Sequence, residues 1–239
     1  MIQLYSWSTS NGRKIHIMLE ETGIPYEVHP INIMAGEQFD PAFLAISPNN
    51  KIPAIVDTDG PGGETLTVFE SGAILLYLAE KTGRFLPQDP SQRMRVLQWL
   101  FFQVGGIGPL LGQRNHFSLA AKQKHPYAIK RYENESLRLC KVVDTSLGHD
   151  NYIAGEFSIA DIAIFTWIQS YAASGGNLET FEHIQRWLND VSARPAVQRG
   201  MKVLMEKSAS LDHSDEVRDI LFGDSQNNQE VLGTNGRKI

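Results

Sequence analysis

Hydrophobic and polar positions divide the chain into two regimes. From Met1 to about Thr82, short apolar runs of strand character alternate with segments of helical period. IQLYS predicts a strand. NGRKIHIMLEETG follows, with Ile15, Met18, Leu19 and Thr22 at helical spacing and Gly23 as a stop. YEVHPINI predicts a second strand and PAFLAI a short helical piece. IPAIVD and TLTVF flank DTDGPGGE, a Gly- and Asp-rich hairpin turn. ESGAILLYLAEKTG closes the series as a helix with Ile74, Leu75, Leu78 and Ala79 on one face. The order is βαβαββα. Its strand–helix–strand unit implies a right-handed parallel crossover, and the late hairpin adds an antiparallel strand.

Beyond RFLPQDPSQ the strand signals stop. Helical patterns run from about Ser91 to Phe117, Pro126 to Leu147, Ser158 to Ala172, Leu178 to Ala193 and Pro195 to Lys207. GGIGPLLG interrupts the first of them. Glycine is costly inside a helix and Pro109 breaks the bonding ladder, so a kink is expected there. FSIADIAIF places Ser158 as a helix N-cap with Asp161 three residues on, a capping box whose carboxylate is structural and not a general base. The fold class is therefore α/β plus all-α: an N-terminal domain over residues 1–83, a helical domain over 91–207 and a polar tail over 208–239. Within the tail, EVRDILF predicts a helical turn. No internal repeat is present.

Composition narrows the chemistry. The 239 residues are 42% hydrophobic and 21% charged, and the net charge of −5 gives no reason to expect nucleic acid or an anionic membrane as partner. No apolar run reaches the length of about eighteen residues that a membrane span needs, and the start lacks the basic and apolar regions of a signal peptide. Cys140 is the only cysteine, which rules out an internal disulfide and a Cys-only metal site, and no histidine pair has metal-ligand spacing. No metal is expected. A reducing, cytoplasmic location follows.

Three short stretches carry candidate chemistry, each with a purely structural alternative. The first strand-to-helix turn is Ser8-Thr9-Ser10-Asn11. Free N–H groups and the positive end of the helix dipole make such a turn a place that holds a thiolate. In redox folds of this order a Cys-x-x-Cys motif would stand here, so any sulfur must come from a ligand. Alternatively, Thr9 or Asn11 only caps the helix. The second stretch is VFESGAILLYL, where Ser71 and a helix start suit a carboxylate and Glu70 suits an ammonium, the two halves of an amino-acid head group. The alternative is a Ser cap with a first-turn Glu. The third is SPNNKIPAIVD, in which Pro53 has no N–H to give a ladder at the start of a strand. A cis Pro53 would turn the backbone of Ile52 outward to pair with an extended peptide-like ligand, with Lys51 as a cation for its carboxylate. A strand-start proline beside a solvated lysine is the plainer account.

Together the three outline a thiol tripeptide. With SPNNKIPAIVD, FESGAILLYLAEKTG, QWLFFQVGGIGPLLGQ and PYAIKRYENE, the chain from Met1 to about Lys207 resembles the cytosolic glutathione transferases, nearest the bacterial Nu class and Ure2-like proteins. The resemblance implies a thioredoxin-like N-terminal domain with the glutathione site, a cis Pro53 and a homodimer. It puts Thr9 and Asn11 near the glutathione sulfur as the catalytic pair. Gln38 and Lys51 would lie near the glycyl carboxylate, Ile52 on the cysteinyl backbone, Glu70 and Ser71 on the γ-glutamyl end, and Arg131 would reach the ligand from the helical domain. It further implies two glutathiones or one glutathione disulfide per site, and a glutathione-dependent disulfide-bond reductase or thiol transferase with weak activity on organic peroxides. Conjugation to electrophilic small molecules, or a non-catalytic regulatory module, are the alternatives. Tyr5 is expected to pack within its strand, Cys140 to pack between helices, and Trp99, Phe101, Phe102 and Phe117 to be mainly core, with one or two at the second-substrate pocket or subunit interface.

Overall fold

The computed structural model describes residues 1–208 and 214–223. Four strands, β1 (Ile2–Ser6), β2 (Tyr26–Pro30), β3 (Ala54–Asp57) and β4 (Leu66–Phe69), form one sheet in the order β2-β1-β3-β4. β1 runs parallel to β2 and antiparallel to β3, and β4 is antiparallel to β3. Helices α1 (Ser10–Thr22), α2 (Pro41–Leu44) and α3 (Ser71–Thr82) complete the thioredoxin-like βαβαββα unit. The second strand ends at Pro30, short of the predicted INI, because Ile31 N–H bonds the carbonyl of Ser6, the last residue of β1, and the paired strand goes no further. Ile15, Met18, Leu19, Ile74, Leu75 and Leu78 are all buried, as the helical spacing required.

The rest is helical: α4 (Pro90–Phe102), α5 (Gly108–Asn115), α6 (Pro126–Leu147), α7 (Ile159–Ala173), α8 (Glu182–Ser192) and α9 (Pro195–Lys202). The expected kink at GGIGPLLG is not a break. A π-helical turn over Gln103–Ile107 carries α4 into α5, and Pro109 falls in the first turn of α5, where its missing N–H costs little. The glycines there serve close approach. A Cβ on Gly108 would stand 2.8 Å from Gln103 Nε2 and 3.6 Å from the Trp167 ring. The last predicted helix stops at Lys202 instead of Lys207, with Leu204 at a left-handed φ of 57°. The tail's EVRDILF forms α10 (Asp215–Phe222), whose Phe222 ring packs on His116 and whose Asp215 pairs with Lys122 at 2.7 Å. The other parts of the expected tail, 209–213 and 224–239, lie outside the described residues.

α1 is where the two parts meet. It packs against α3 on one side and against α7 and α9 on the other. Arg194, just before α9, makes a bidentate pair with Glu21 of α1 at 2.6 and 2.9 Å. Phe101 is the member of the expected aromatic group that stands outside the core. It is 68% exposed on α4, while Trp99 and Phe102 pack edge to face against the core.

Candidate functional site

The first candidate turn is built by the way β1 runs into α1. Thr9 is the N-cap, extended at φ −108° and ψ 169°, and its Oγ1 accepts from Gly12 N–H at 3.2 Å. That settles which residue caps: Thr9 does, Asn11 does not. Gly12 is obligatory, since a Cβ would lie 2.0 Å from the Trp7 carbonyl oxygen. The first turn of α1 holds no acidic residue to offset the dipole. Thr9 accepts with its oxygen and so keeps its hydroxyl proton to donate. Asn11 is fixed in the same sense, because its Oδ1 accepts from Trp167 Nε1 at 2.9 Å, leaving the Nδ2 amine as donor. Two donors and a bare helix start suit an anion.

The second turn differs from the plainer reading in which Ser71 is the cap. Glu70, not Ser71, occupies the N-cap position of α3, and its side chain makes no capping bond. Glu70 sits at φ 71°, a left-handed value that costs a non-glycine residue about 1–3 kcal/mol and collects at functional sites. Its carboxylate is exposed and reaches Asn49 Nδ2 at 3.4 Å, which ties it to the turn that carries Lys51 and Ile52. In that turn the Ile52–Pro53 peptide is cis and the β3 ladder begins only at Ala54, so Ile52 lies outside it. Lys51 is exposed, and its carbonyl accepts from Ser47 Oγ at 2.8 Å.

Beneath Ser71 lies a residue the sequence reading passed over. Lys14, only 1% exposed, points from α1 to donate to Ser71 Oγ at 3.1 Å and to Gln103 Oε1 at 2.6 Å. Burial pushes its pKa down to about 7, opposed by the nearby Glu70 charge. A signal was present: Lys14 shares the apolar stripe of α1 with Ile15 and Met18, where a cation needs a partner. Trp167 and Gln103 had none, being joined to the site only by the tertiary fold. Gln38 is buried in the turn before α2, with its Oε1 unpartnered among the described residues. Arg131 is exposed on α6, one turn before Glu135, and the contacts that join the other residues do not reach it.

The residues set aside behave as such. The Tyr5 ring stacks on His29 at 4.8 Å. His16 is buried against Ser6 Oγ, and burial holds its pKa down near about 3, so it stays neutral. Cys140 is fully buried, and burial pushes its thiol up to about 12. Cys140→Ser is therefore expected to keep its catalytic rate and lose about 1 kcal/mol of stability for burying a hydroxyl. A rate assay beside a urea melt checks this, and lost activity in a folded variant would bring a protein thiol into the reaction. Among the described residues no cluster of side chains is suited to a metal ion, and no helix is long and apolar enough to cross a membrane.

Residues 9–81 match the family model for the glutathione S-transferase N-terminal domain, and residues 110–195 that for the C-terminal domain. The chain is 48% identical over 203 residues to the disulfide-bond oxidoreductase YfcG of Escherichia coli, across 84% of this chain and 94% of that protein. A glutathione transferase from Pseudomonas putida, solved with one glutathione disulfide bound per subunit, superposes with a TM-score of 0.80. It is 48% identical, across 84% of this chain and 91% of that one. A family member from Pseudomonas fluorescens, solved with two glutathiones bound, gives a TM-score of 0.80 at 46% identity, across 84% and 92%.

Proposed function

The chain belongs to the glutathione S-transferase family, and from that premise we propose that it is a glutathione-dependent disulfide-bond reductase of the Nu type. The observation that carries this reading is the turn at Thr9–Asn11, a pair of aimed donors at a bare helix start with no thiol of the protein's own. Bound glutathione supplies the sulfur: two thiols are oxidised to glutathione disulfide while the substrate disulfide takes up two electrons and two protons. Thr9 Oγ1, Asn11 Nδ2 and the dipole of α1 hold the negative charge on sulfur in place of a protein base. Ile52 offers its backbone to the cysteinyl segment, Gln38 and Lys51 serve the glycyl carboxylate, Ser71 and the N–H groups of α3 take the γ-glutamyl carboxylate, and Glu70 takes its ammonium. Arg131 contributes from α6. The residues fit such a ligand. The Ser71 hydroxyl has a lone pair occupied by Lys14, Glu70 is held in a strained backbone conformation, and Gln38 carries an orphaned buried oxygen.

The P. putida and P. fluorescens relatives support one glutathione disulfide or two glutathiones as the bound species. A lone, buried cysteine is consistent with the reducing cytoplasm. Exposed Phe69, Met94, Phe101 and Val104 support a subunit interface and hence a homodimer. The deciding assay reduces hydroxyethyl disulfide with glutathione and, in parallel, conjugates an electrophilic aromatic halide. Rapid reduction with slow conjugation is expected, and the reverse ranking would make the protein a conventional conjugating transferase.

The head-group direction has its own test by calorimetry. Ser71→Ala removes one hydrogen bond and leaves the helix N–H groups, so glutathione binds about fivefold more weakly. Glu70→Gln removes the acidic partner of the ligand's ammonium. Because Glu70 is exposed, water offsets much of the loss, and about 1–2 kcal/mol is expected. Unaltered binding in Glu70→Gln would place the amino-acid head group elsewhere.

A further inference from the structure

We propose that Lys14 is a positioning residue of this site: it occupies the acceptor side of Ser71 so that the Ser71 hydroxyl is turned outward to donate, and it sets a buried ammonium behind the first turn of α3 to meet a ligand carboxylate. The inference rests on the reading of that turn as the γ-glutamyl end of a glutathione site.

The geometry has three parts. First, Lys14 Nζ lies 3.1 Å from Ser71 Oγ. An ammonium has donors only, so the hydroxyl oxygen must accept and its proton points elsewhere. Second, Lys14 Nζ lies 2.6 Å from Gln103 Oε1, a neutral acceptor from the π-helical turn of the helical part. Gly108 keeps Gln103 there, since any side chain at that position would crowd its Nε2. Third, the same turn presses on the start of α3, where a Cβ on Gly72 would stand 2.9 Å from Val104 Cγ2. The lysine is thus clamped between the two halves of the molecule, and among the described residues no carboxylate is in contact with it. A buried cation held only by neutral acceptors is poorly compensated, and an incoming carboxylate completes it.

The charged surroundings leave this lysine to the ligand. Glu70 is the acid that acts on it, from an exposed position. Arg13 beside it turns to Ser8 Oγ at 3.1 Å. On α7 the one ionised side chain, Asp161, is engaged in its capping box. Before and along α9, Arg194 and Arg199 pair with Glu21 and Glu20 near the far end of α1. With its pKa lowered to about 7, Lys14 is partly neutral in the free protein just above that pH. A bound carboxylate restores the charge, so binding takes up a proton.

The test uses S-methylglutathione, whose blocked thiol contributes no proton of its own, and calorimetry in buffers of different ionisation enthalpy. The full-length protein is expected to take up a fraction of a proton on binding between about pH 7 and 8.5, and its affinity should fall as the pH rises through that window. Lys14→Met should abolish the uptake and weaken binding at least about tenfold at pH 6.5. In that background Ser71→Ala should cost less than about twofold, because the two residues act as one unit. A purely structural lysine would lower the melting temperature and leave the proton count unmoved. Should Lys14→Met fold poorly, the uptake by the unaltered protein decides alone: its absence overturns the proposal. So does normal affinity in a folded Lys14→Met protein. No binding of S-methylglutathione or glutathione by the unaltered protein would instead overturn the glutathione reading on which the proposal stands.

Discussion

Asp161→Ala should cost the fold on the order of 4 kcal/mol, in the rare upper range of single substitutions. The carboxylate is completely buried and accepts four hydrogen bonds. Ile153 N–H, Ser158 N–H and Trp187 Nε1–H each donate at 2.9 Å, and Ser158 Oγ donates at 3.1 Å. Burial pushes its pKa up to about 6 against those bonds, so it remains ionised at neutral pH. Alanine would orphan all four donors at once, each in a place water does not reach. Chemical denaturation at pH 7 reads the loss directly. Glutathione affinity in the fraction that stays folded should be unchanged, because Asp161 touches none of the proposed ligand residues. A stable but inactive variant would contradict the structural role.

That role was legible in the sequence because it is local. A Ser and an Asp three residues apart before an apolar run dictate their own geometry, and the same holds for the stripes of α1 and α3. An irregularity in the 103–109 region was legible, but its form was not, because its glycines answer to distant partners. Gly108 is small for the sake of Gln103 and Trp167, and nothing in a helical wheel reveals that. The alternative of a Ser71 cap fails for a related reason. Propensity favours serine as cap, whereas here Glu70 takes the cap position at a positive φ and its side chain makes no capping bond. Lys14 lies between these cases. Its burial was readable from its stripe, but its partner Gln103 is 89 positions away and Trp167 is 156 positions from Asn11.

Those two long-range bonds describe one device used twice. At each helix start the side chain proposed to face the ligand belongs to the thioredoxin-like part, while the group that fixes its polarity comes from, or is anchored in, the helical part. Trp167 takes the oxygen of Asn11 and leaves its amine outward. Gln103 anchors Lys14, which takes the oxygen of Ser71 and leaves its proton outward. The helical part therefore sets which way the donors point, in addition to whatever it supplies for a second substrate. A site assembled in this way loses orientation whenever the seating of the Gln103–Ile107 turn on Lys14 or of α7 against α1 is disturbed.

Removing Asn11's amide should therefore be the most damaging change to turnover. Asn11→Ala deletes a hydrogen bond to a charged sulfur, worth about 1.5–3 kcal/mol, and so lowers turnover in disulfide reduction more than about tenfold. It also raises the pKa of the bound thiol, which ultraviolet titration of the thiolate follows. Thr9→Ala acts on the same charge but loses a helix cap as well, and Asn11→Ala leaves Trp167 Nε1–H without its acceptor, so the melting temperature of both variants falls. Trp167→Phe separates orientation from donation. The Asn11 amine remains, but its oxygen is no longer pinned, and the amide is free to turn the wrong end to the sulfur. Its effect on the thiol pKa should have the same sign as that of Asn11→Ala and a smaller size. In the Asn11→Ala background Trp167→Phe should add almost nothing, since there is no amide left to orient. Unchanged thiol pKa and rate in both Thr9→Ala and Asn11→Ala would remove the thiolate from this turn, and additive effects of Trp167→Phe and Asn11→Ala would show that the indole acts by packing and not through the amide.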